Sequence, residues 1–349
     1  MRIPSQRAAV LQGAAVIAFL SGCAGGGSQA SPVTGPVAAS SQAVRIAQSN
    51  VAPAHRIGFV NVAGINAPGG NQVIVSDEGS NSVSVYNATG KLNALLTAGL
   101  NQPNGIATDA AQNLYVANTQ DFDVLVYTKP YTSVGLTLAD SGLYPTGVAV
   151  SGTGLVAVMN IVANPYGPGG ERFYARGSAS ACATVSDANW HGMFYGAFDA
   201  SGNLFFDGDD PDGNPLVGEI TGGCAATSVT TLHVKNTLYN PEGVGVVNGK
   251  VLILDQREDD ESISPVIFTY APPVNGSLGS PLTKTKLSAG IEMTTFAMVK
   301  GDQDLWIAHS DVAAGRIEYS YPNGRFVKSF NESGLVTAIG IAVNPTAGP

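Results

Sequence analysis

Between Gln102 and Tyr127 the chain reads QPNGIATDAAQNLYVANTQDFDVLVY, and its apolar positions fall into short runs at 105–108, 114–117 and 124–127. Each run alternates or is β-branched and closes on turn-forming residues, a period-two pattern that predicts antiparallel strands. The pattern recurs. First strands align as GIATD at Gly105, GVAVS at Gly147, YGAFD at Tyr195, GVGVV at Gly243, TFAMV at Thr295 and GIAVN at Gly340, at intervals of 42, 48, 48, 52 and 45 residues. Second runs follow at 114–117, 155–159, 204–206, 251–254 and 305–308, and third runs at 124–127, 173–174, 267–270 and 317–319. A weaker fourth run closes each unit. Helical periodicity is absent after the first 20 residues.

Four short strands in about 45 residues is the size of one propeller blade. The amino-terminal unit has runs at 72–76, 83–86 and 92–96 but no convincing first strand, whereas the carboxy terminus ends in a lone one, Ala338–Asn344. Each end supplies what the other lacks. Pairing them closes a ring of six four-stranded antiparallel blades and removes the free edges of an open sheet. The expected fold class is therefore all-β, a six-bladed β-propeller over residues 55–349. Gly 43, Pro 20 and 12% charged residues fit a turn-rich β protein.

Pro103-Asn104-Gly105-Ile106-Ala107-Thr108-Asp109, Asn113-Leu114-Tyr115-Val116-Ala117-Asn118 and Val124-Leu125-Val126-Tyr127 together resemble the NHL repeat. Pro145-Thr146-Gly147-Val148-Ala149-Val150, Pro241-Glu242-Gly243-Val244 and Asp199-Ala200-Ser201-Gly202-Asn203-Leu204 keep parts of it, and the last blade departs most. The resemblance implies a six-bladed propeller but no single function, because such propellers host lyases, lactonases, sensors and passive binding platforms.

The first 54 residues stand outside the repeat. Arg2 and Arg7 form a positive region, residues 8–20 an apolar one too short to span a bilayer as a mature helix, and Leu20-Ser21-Gly22-Cys23 resembles a bacterial lipobox. The resemblance implies a signal peptide over 1–22, diacylglyceryl transfer to Cys23, cleavage before it and N-acylation; a plain secretory signal is the alternative. Residues 24–54 are Gly, Ser, Ala, Pro and Gln with Arg45 the single charge. Such a segment cannot bury enough surface to fold and reads as a tether. The expected location is the bacterial cell envelope, on the periplasmic face of the outer membrane in a diderm, with the protein a monomer.

Charge narrows the partners. The chain carries 17 basic and 26 acidic residues; without Arg2, Arg7 and Arg45 the folded part keeps 14 basic residues against the same acids, a net charge of −12. That balance repels phosphate backbones and argues against nucleic acid, leaving cations, basic partners or neutral ligands.

In propellers generally, the loops entering first strands and those joining second to third strands share one face around the central axis. Here that face is expected to receive Asn104, Thr146, His191 and Glu242 from the former. From the latter come Asp77, Glu78, Asp121, Asp123, Glu171, Asp207, Asp209, Asp210, Asp212, Asp255, Glu258, Asp259, Asp260, Glu261 and Asp311. Either this makes a negative binding face, or the acids are simply solvated loop residues. Residues closing the second strands, Asp77, Asn118, Asn160, Asp207, Asp255 and His309, form a ring suited to Ca²⁺ or another divalent cation. Asx-turns explain the same repetition without a metal. Asp207-Gly208-Asp209-Asp210-Pro211-Asp212-Gly213-Asn214 lacks EF-hand spacing and reads as an acidic turn.

Of the histidines, His55, His191, His233 and His309, His191 beside Trp190 is best placed as a base or ligand; a His bonded to a loop carbonyl is the plain alternative. No nucleophile elbow, H-E-x-x-H or phosphate loop appears. A noncatalytic binding platform for a protein or small-molecule ligand is therefore the expectation, with Asn104, His191, Asp207 and His309 on its face. The alternative is a metal-dependent lactonase, hydrolase or lyase. Resemblance to gluconolactonase-type propellers would give Glu242, Asn118, Asn160 and Asp255 one divalent ion that polarises the scissile carbonyl, with an Asp as base. Cys182 and Cys224 fall near the starts of fourth strands in consecutive blades, where outer strands diverge. That geometry favours separate thiols over a loop-mediated bridge.

Overall fold

The computed structural model describes residues 72–344 except 88, 163–167, 260–261, 289–292, 300–303, 311–314 and 332–333. The expected leader and tether with Cys23, together with His55, Asp260, Glu261 and Asp311, lie outside those residues. Along the described chain the expected runs are strands grouped into four-stranded antiparallel blades. Inner strands are Pro103–Thr108, Leu143–Val150, Gly192–Phe198, Pro241–Val247, Met293–Met298 and Ala338–Asn344. Each packs against the next, and the Met293–Met298 strand packs against Ala338–Asn344, which in turn packs against Pro103–Thr108. The inner strands thus surround an axis.

Closure follows the expected pairing. Ala338–Asn344 forms the inner strand of the sheet that holds Gln72–Asp77, Ser82–Tyr86 and Leu92–Leu96, with Gln72 opposite Asn344 and Val73 opposite Val343. Asp77 locks the entry, its carboxylate accepting Val336 N at 2.6 Å and Thr337 N at 2.8 Å. One pair of blades is joined further: Gly192 pairs with Ile161, merging their strands into one sheet.

Second strands are apolar throughout rather than alternating, because both of their faces are covered by neighbouring blades. Leu114 and Val116 enter one apolar layer while Tyr115 enters the next. Leu204 and Phe206 likewise face one side, Phe205 the other. This is the burial that makes strand runs read as continuous hydrophobic stretches.

The P-x-G segment of the repeat has a backbone explanation. Ladder register shifts between Pro103 and Ile106, Pro145 and Gly147, and Pro241 and Val244, so each proline occupies a bulge where its missing N–H leaves no bond unmade. The glycine meets the adjacent inner strand directly. A Cβ on Gly105 would lie 2.7 Å from the Gly147 Cα and the Thr146 carbonyl oxygen, and one on Gly147 would run into the Phe194 carbonyl. Between these contacts, Thr146 Oγ1 donates to Met193 O at 2.8 Å and Thr294 Oγ1 to Ile339 O at 2.8 Å, each tying its strand to the following one.

At the seam between the last blade and the first, Arg316 is fully buried. Its guanidinium lies 3.5 Å from the Tyr86 ring centroid and 4.6 Å from that of Phe330, and it donates to Gly90 O at 3.2 Å. A desolvated cation between two aromatic faces contributes about 2 kcal/mol.

The structure overturns the expectation of separate thiols: Cys182 and Cys224 form a disulfide with Cα atoms 5.1 Å apart. Cys182 does precede a fourth strand, Ala183–Ser186, but Cys224 is in the 3-10 turn Gly223–Ala225, well before its own, Thr230–Thr231. That turn folds back onto the preceding blade, so diverging outer strands do not set the separation. The 42-residue loop so closed is worth about 4 kcal/mol of unfolded-state entropy. Replacing both cysteines by Ala is expected to lower the melting midpoint by roughly 10 °C, checked by calorimetry; an unchanged midpoint would refute the stabilising role.

Candidate functional site

The site residues occupy the end of the blades at which second strands stop and inner strands begin. Asn104, Thr146 and Glu242 are not in entering loops as expected. They lie within inner strands and are buried, because the strands start two or more residues earlier than the apolar pattern suggests. Asn104 Oδ1 accepts the Tyr195 hydroxyl at 2.9 Å. His191 is the exception: partly exposed, it directs Nδ1 to 3.6 Å from Asp209 Oδ1.

The residues that close the second strands share one local task. Asn118 Oδ1 accepts Asn101 N at 2.6 Å, and Asp255 Oδ1 accepts Tyr239 N at 2.8 Å and Asn240 N at 3.0 Å. Asp77 does the same for Val336 and Thr337. In each case a side-chain oxygen holds the segment that enters the inner strand of its own blade. Asp207 reaches into the inner strand itself, accepting Tyr195 N at 2.7 Å. These are cross-strand latches; Asp77 also makes the local turn expected of such residues, accepting Ser80 N at 3.2 Å. Among the metal candidates, Glu242 and Asp255 meet through Asn240, whose Nδ2 donates to Glu242 Oε1 at 2.7 Å. Asn118 donates Nδ2 to Gly99 O at 3.0 Å and to Asp123 Oδ1 at 2.9 Å. Asn160 donates to Val158 O at 3.0 Å and leaves Oδ1 buried without a hydrogen bond. Among the described residues, no group of three or more His, Cys, Asp or Glu side chains is disposed to hold a metal ion.

Nor are the acids of this face mainly solvated. Asp77, Glu78, Glu171, Asp207, Asp209 and Asp255 are buried, as is His309, whereas Asp121 and Asp212 are exposed and Asp123 and Asp210 half-buried. Asp210 caps the acidic turn, accepting Asp212 N at 2.9 Å and Asn214 N at 2.8 Å. Glu258 and Asp259 close the long strand Lys250–Asp259.

At the axis itself, Phe194, Tyr195, Ile161 and Ile339 form one buried apolar cluster with Tyr144 against it. Ile339 and Phe194 come from inner strands that are not neighbours, so the cluster spans the space between those strands. The sequence held a sign of this: Phe194, Tyr195 and Ile339 come from inner strands that lack the P-x-G segment.

Burial governs the electrostatics. Both Glu171 oxygens are buried without a hydrogen-bond partner, and its carboxyl is pushed well above the usual range by desolvation and then by the charges of Asp140 and Asp207. Asp140, which the repeat pattern did not single out, is buried beside Arg172 at 3.0 Å and Tyr174 at 3.2 Å. Desolvation outweighs both partners and raises it to about 6. Desolvation also raises Asp207 to about 7, against the opposing N–H groups of Tyr195 and Gly243.

Comparison with known proteins places this geometry. No family model matches the chain, and no curated protein does. Solved structures match in fold: a chain of a nidogen/laminin complex at 12% identity and TM-score 0.59, covering 78% of this chain and 98% of that one. A protein of unknown function from Bacteroides caccae matches at 11% identity and TM-score 0.58, over 79% of this chain and 99% of that one. Hydrazine synthase of Kuenenia stuttgartiensis matches at 14% identity and TM-score 0.51, over 70% and 73%. The fold is that of a β-propeller. At such identities the likeness speaks for the propeller's architecture alone.

Because the folded Asp207 keeps its proton at pH values where the unfolded chain has lost it, the native state binds more protons between 3.8 and about 7. Stability contributed by this group is therefore complete below that window and lost as pH rises through it. Asp207→Asn keeps an acceptor for Tyr195 N and removes the titration, so its melting midpoint is expected to fall less than the wild type's between pH 4 and 8. Parallel profiles would refute the assignment.

Proposed function

We propose that this protein is a six-bladed, NHL-type propeller, exported as a lipoprotein and tethered through Cys23 in the bacterial cell envelope. As a monomer it binds a protein or small-molecule ligand, without catalysis, on the loops around the axis. The count of six takes the merged sheet as two blades, each with its own inner strand. The observation that carries the binding reading is how the polar groups are used. Asp77, Asn118, Asp207 and Asp255 hold backbone segments, and Phe194, Tyr195 and Ile339 occupy the axis. What this leaves to a partner is the rim, where Tyr239 is 52% and Val336 60% exposed. Both precede inner strands, so they project from the same end as His191 and the exposed Asp121 and Asp212. A partner crosslinked to the native protein in its own envelope should be lost, by tenfold or more, in Tyr239→Ser with Val336→Ser. It should persist in Val274→Ser, at the opposite end of the blades. Equal recovery from both variants would sink the rim assignment.

A second reading, the divalent-metal-dependent hydrolase, rests on the buried Asn160 Oδ1 that has no hydrogen bond. Glu242, Asn118, Asn160 and Asp255 would be its ligands. A ligand that binds only the native state raises stability. Saturating Ca²⁺ or Zn²⁺ should then raise the melting midpoint by several degrees, roughly 3–6 °C, in the wild type and not in Glu242→Ala or Asp255→Ala. The absence of any shift would eliminate this reading.

A further inference from the structure

Antiparallel strands place every connection from first to second strand, and from third to fourth, at the end of the blades opposite the carboxylates described above. The charges there have the other sign. Lys91, Lys129, Arg176, Lys250, Lys284 and Arg325 are all exposed in or beside these connections. The acids among the described residues in or beside these connections are Asp109, Asp199, Glu219 and Asp304, none of them fully exposed. Asp109 and Asp199 are also engaged within their own turns, accepting Asn113 N and Asn203 N, each at 2.8 Å. Among the described residues, six exposed bases thus gather at this end, whereas the exposed acids Asp121 and Asp212 lie at the other, with Lys235.

Apolar side chains accompany the bases. Val274 is 68%, Leu282 55% and Phe326 46% exposed, all in or beside the same set of connections. Two blades contribute to one continuous patch, since Thr285 Oγ1 donates to Pro322 O at 2.9 Å and the turn before Arg325 abuts Lys286. Gln72, the first residue of its strand, pairs with Asn344 at this same end of the closing blade.

We infer that this basic end docks on an anionic lipid bilayer. Interspersed cations and protruding apolar side chains match a headgroup layer, in which cations meet phosphates and apolar groups enter the interface. The acidic end, repelled by the same surface, would face away and present the rim. The orientation builds on the tether proposed above, but the attraction does not require acyl chains.

The test uses the native full-length protein as cells process it, mixed with phosphatidylcholine vesicles or with vesicles also containing phosphatidylglycerol. Amine labelling of Lys91, Lys129, Lys250 and Lys284 is then quantified. Labelling is expected to drop fivefold or more on the anionic vesicles relative to the neutral ones. It should recover at high salt, which shortens the screening length. Lys250→Glu with Lys284→Glu and Arg325→Glu alters exposed positions that leave the core intact, and the protection should disappear in that variant. Equal labelling on both vesicles, or protection unchanged in the triple variant, would overturn the inference. Failure to associate with neutral vesicles would sink the tether while leaving the anionic comparison decisive.

Discussion

Everything in this molecule depends on how closely the inner strands approach one another around the axis. There the contact is backbone to backbone, with Gly105 against Gly147 and Gly147 against Phe194. Such crowding admits no side chain at those positions and forces each strand to bulge before it enters the sheet. It also makes closure necessary. A missing inner strand would strip both its blade and the flanking strands of their packing, and Ala338–Asn344 prevents that by returning to Gln72–Asp77.

The same crowding decides what the polar groups do. The segments entering the inner strands carry backbone N–H groups outside the strand ladder, and a buried donor left unsatisfied costs about 1–3 kcal/mol. Asp77, Asn118, Asp207 and Asp255 supply the acceptors. The carboxyls of Asp207 and Glu171 are carried into a poorly solvated region, and burial pushes Glu171, Asp140 and Asp207 toward the protonated form. Stability and proton binding are therefore coupled through residues whose first task is to hold the blades in register.

With Phe194, Tyr195 and Ile339 clustered between inner strands, the proposed binding surface is the loops and rims, and the two ends of the blades differ in exposed charge. This asymmetry arises because each end collects a different class of connection. Distribution, rather than net charge, controls local attraction, since exposed charges are screened beyond about 8–10 Å at physiological salt.

The period-two runs and their spacing determined the strands, the blades and the closing pair from sequence alone, because strand formation here depends on local alternation and on turns that a few residues specify. The proline and glycine of the repeat were visible too, though not their reason, which lies in a neighbouring strand some forty residues away. Tertiary structure decided the rest. Whether Asp207 is solvated or buried, whether Asn118 binds an ion or the Asn101 N–H, and whether Cys224 reaches Cys182 depend on groups brought together across blades. No local pattern encodes those distances: the alternation that predicts a strand is satisfied equally by a loop that stands in water and by one that folds back onto the preceding blade.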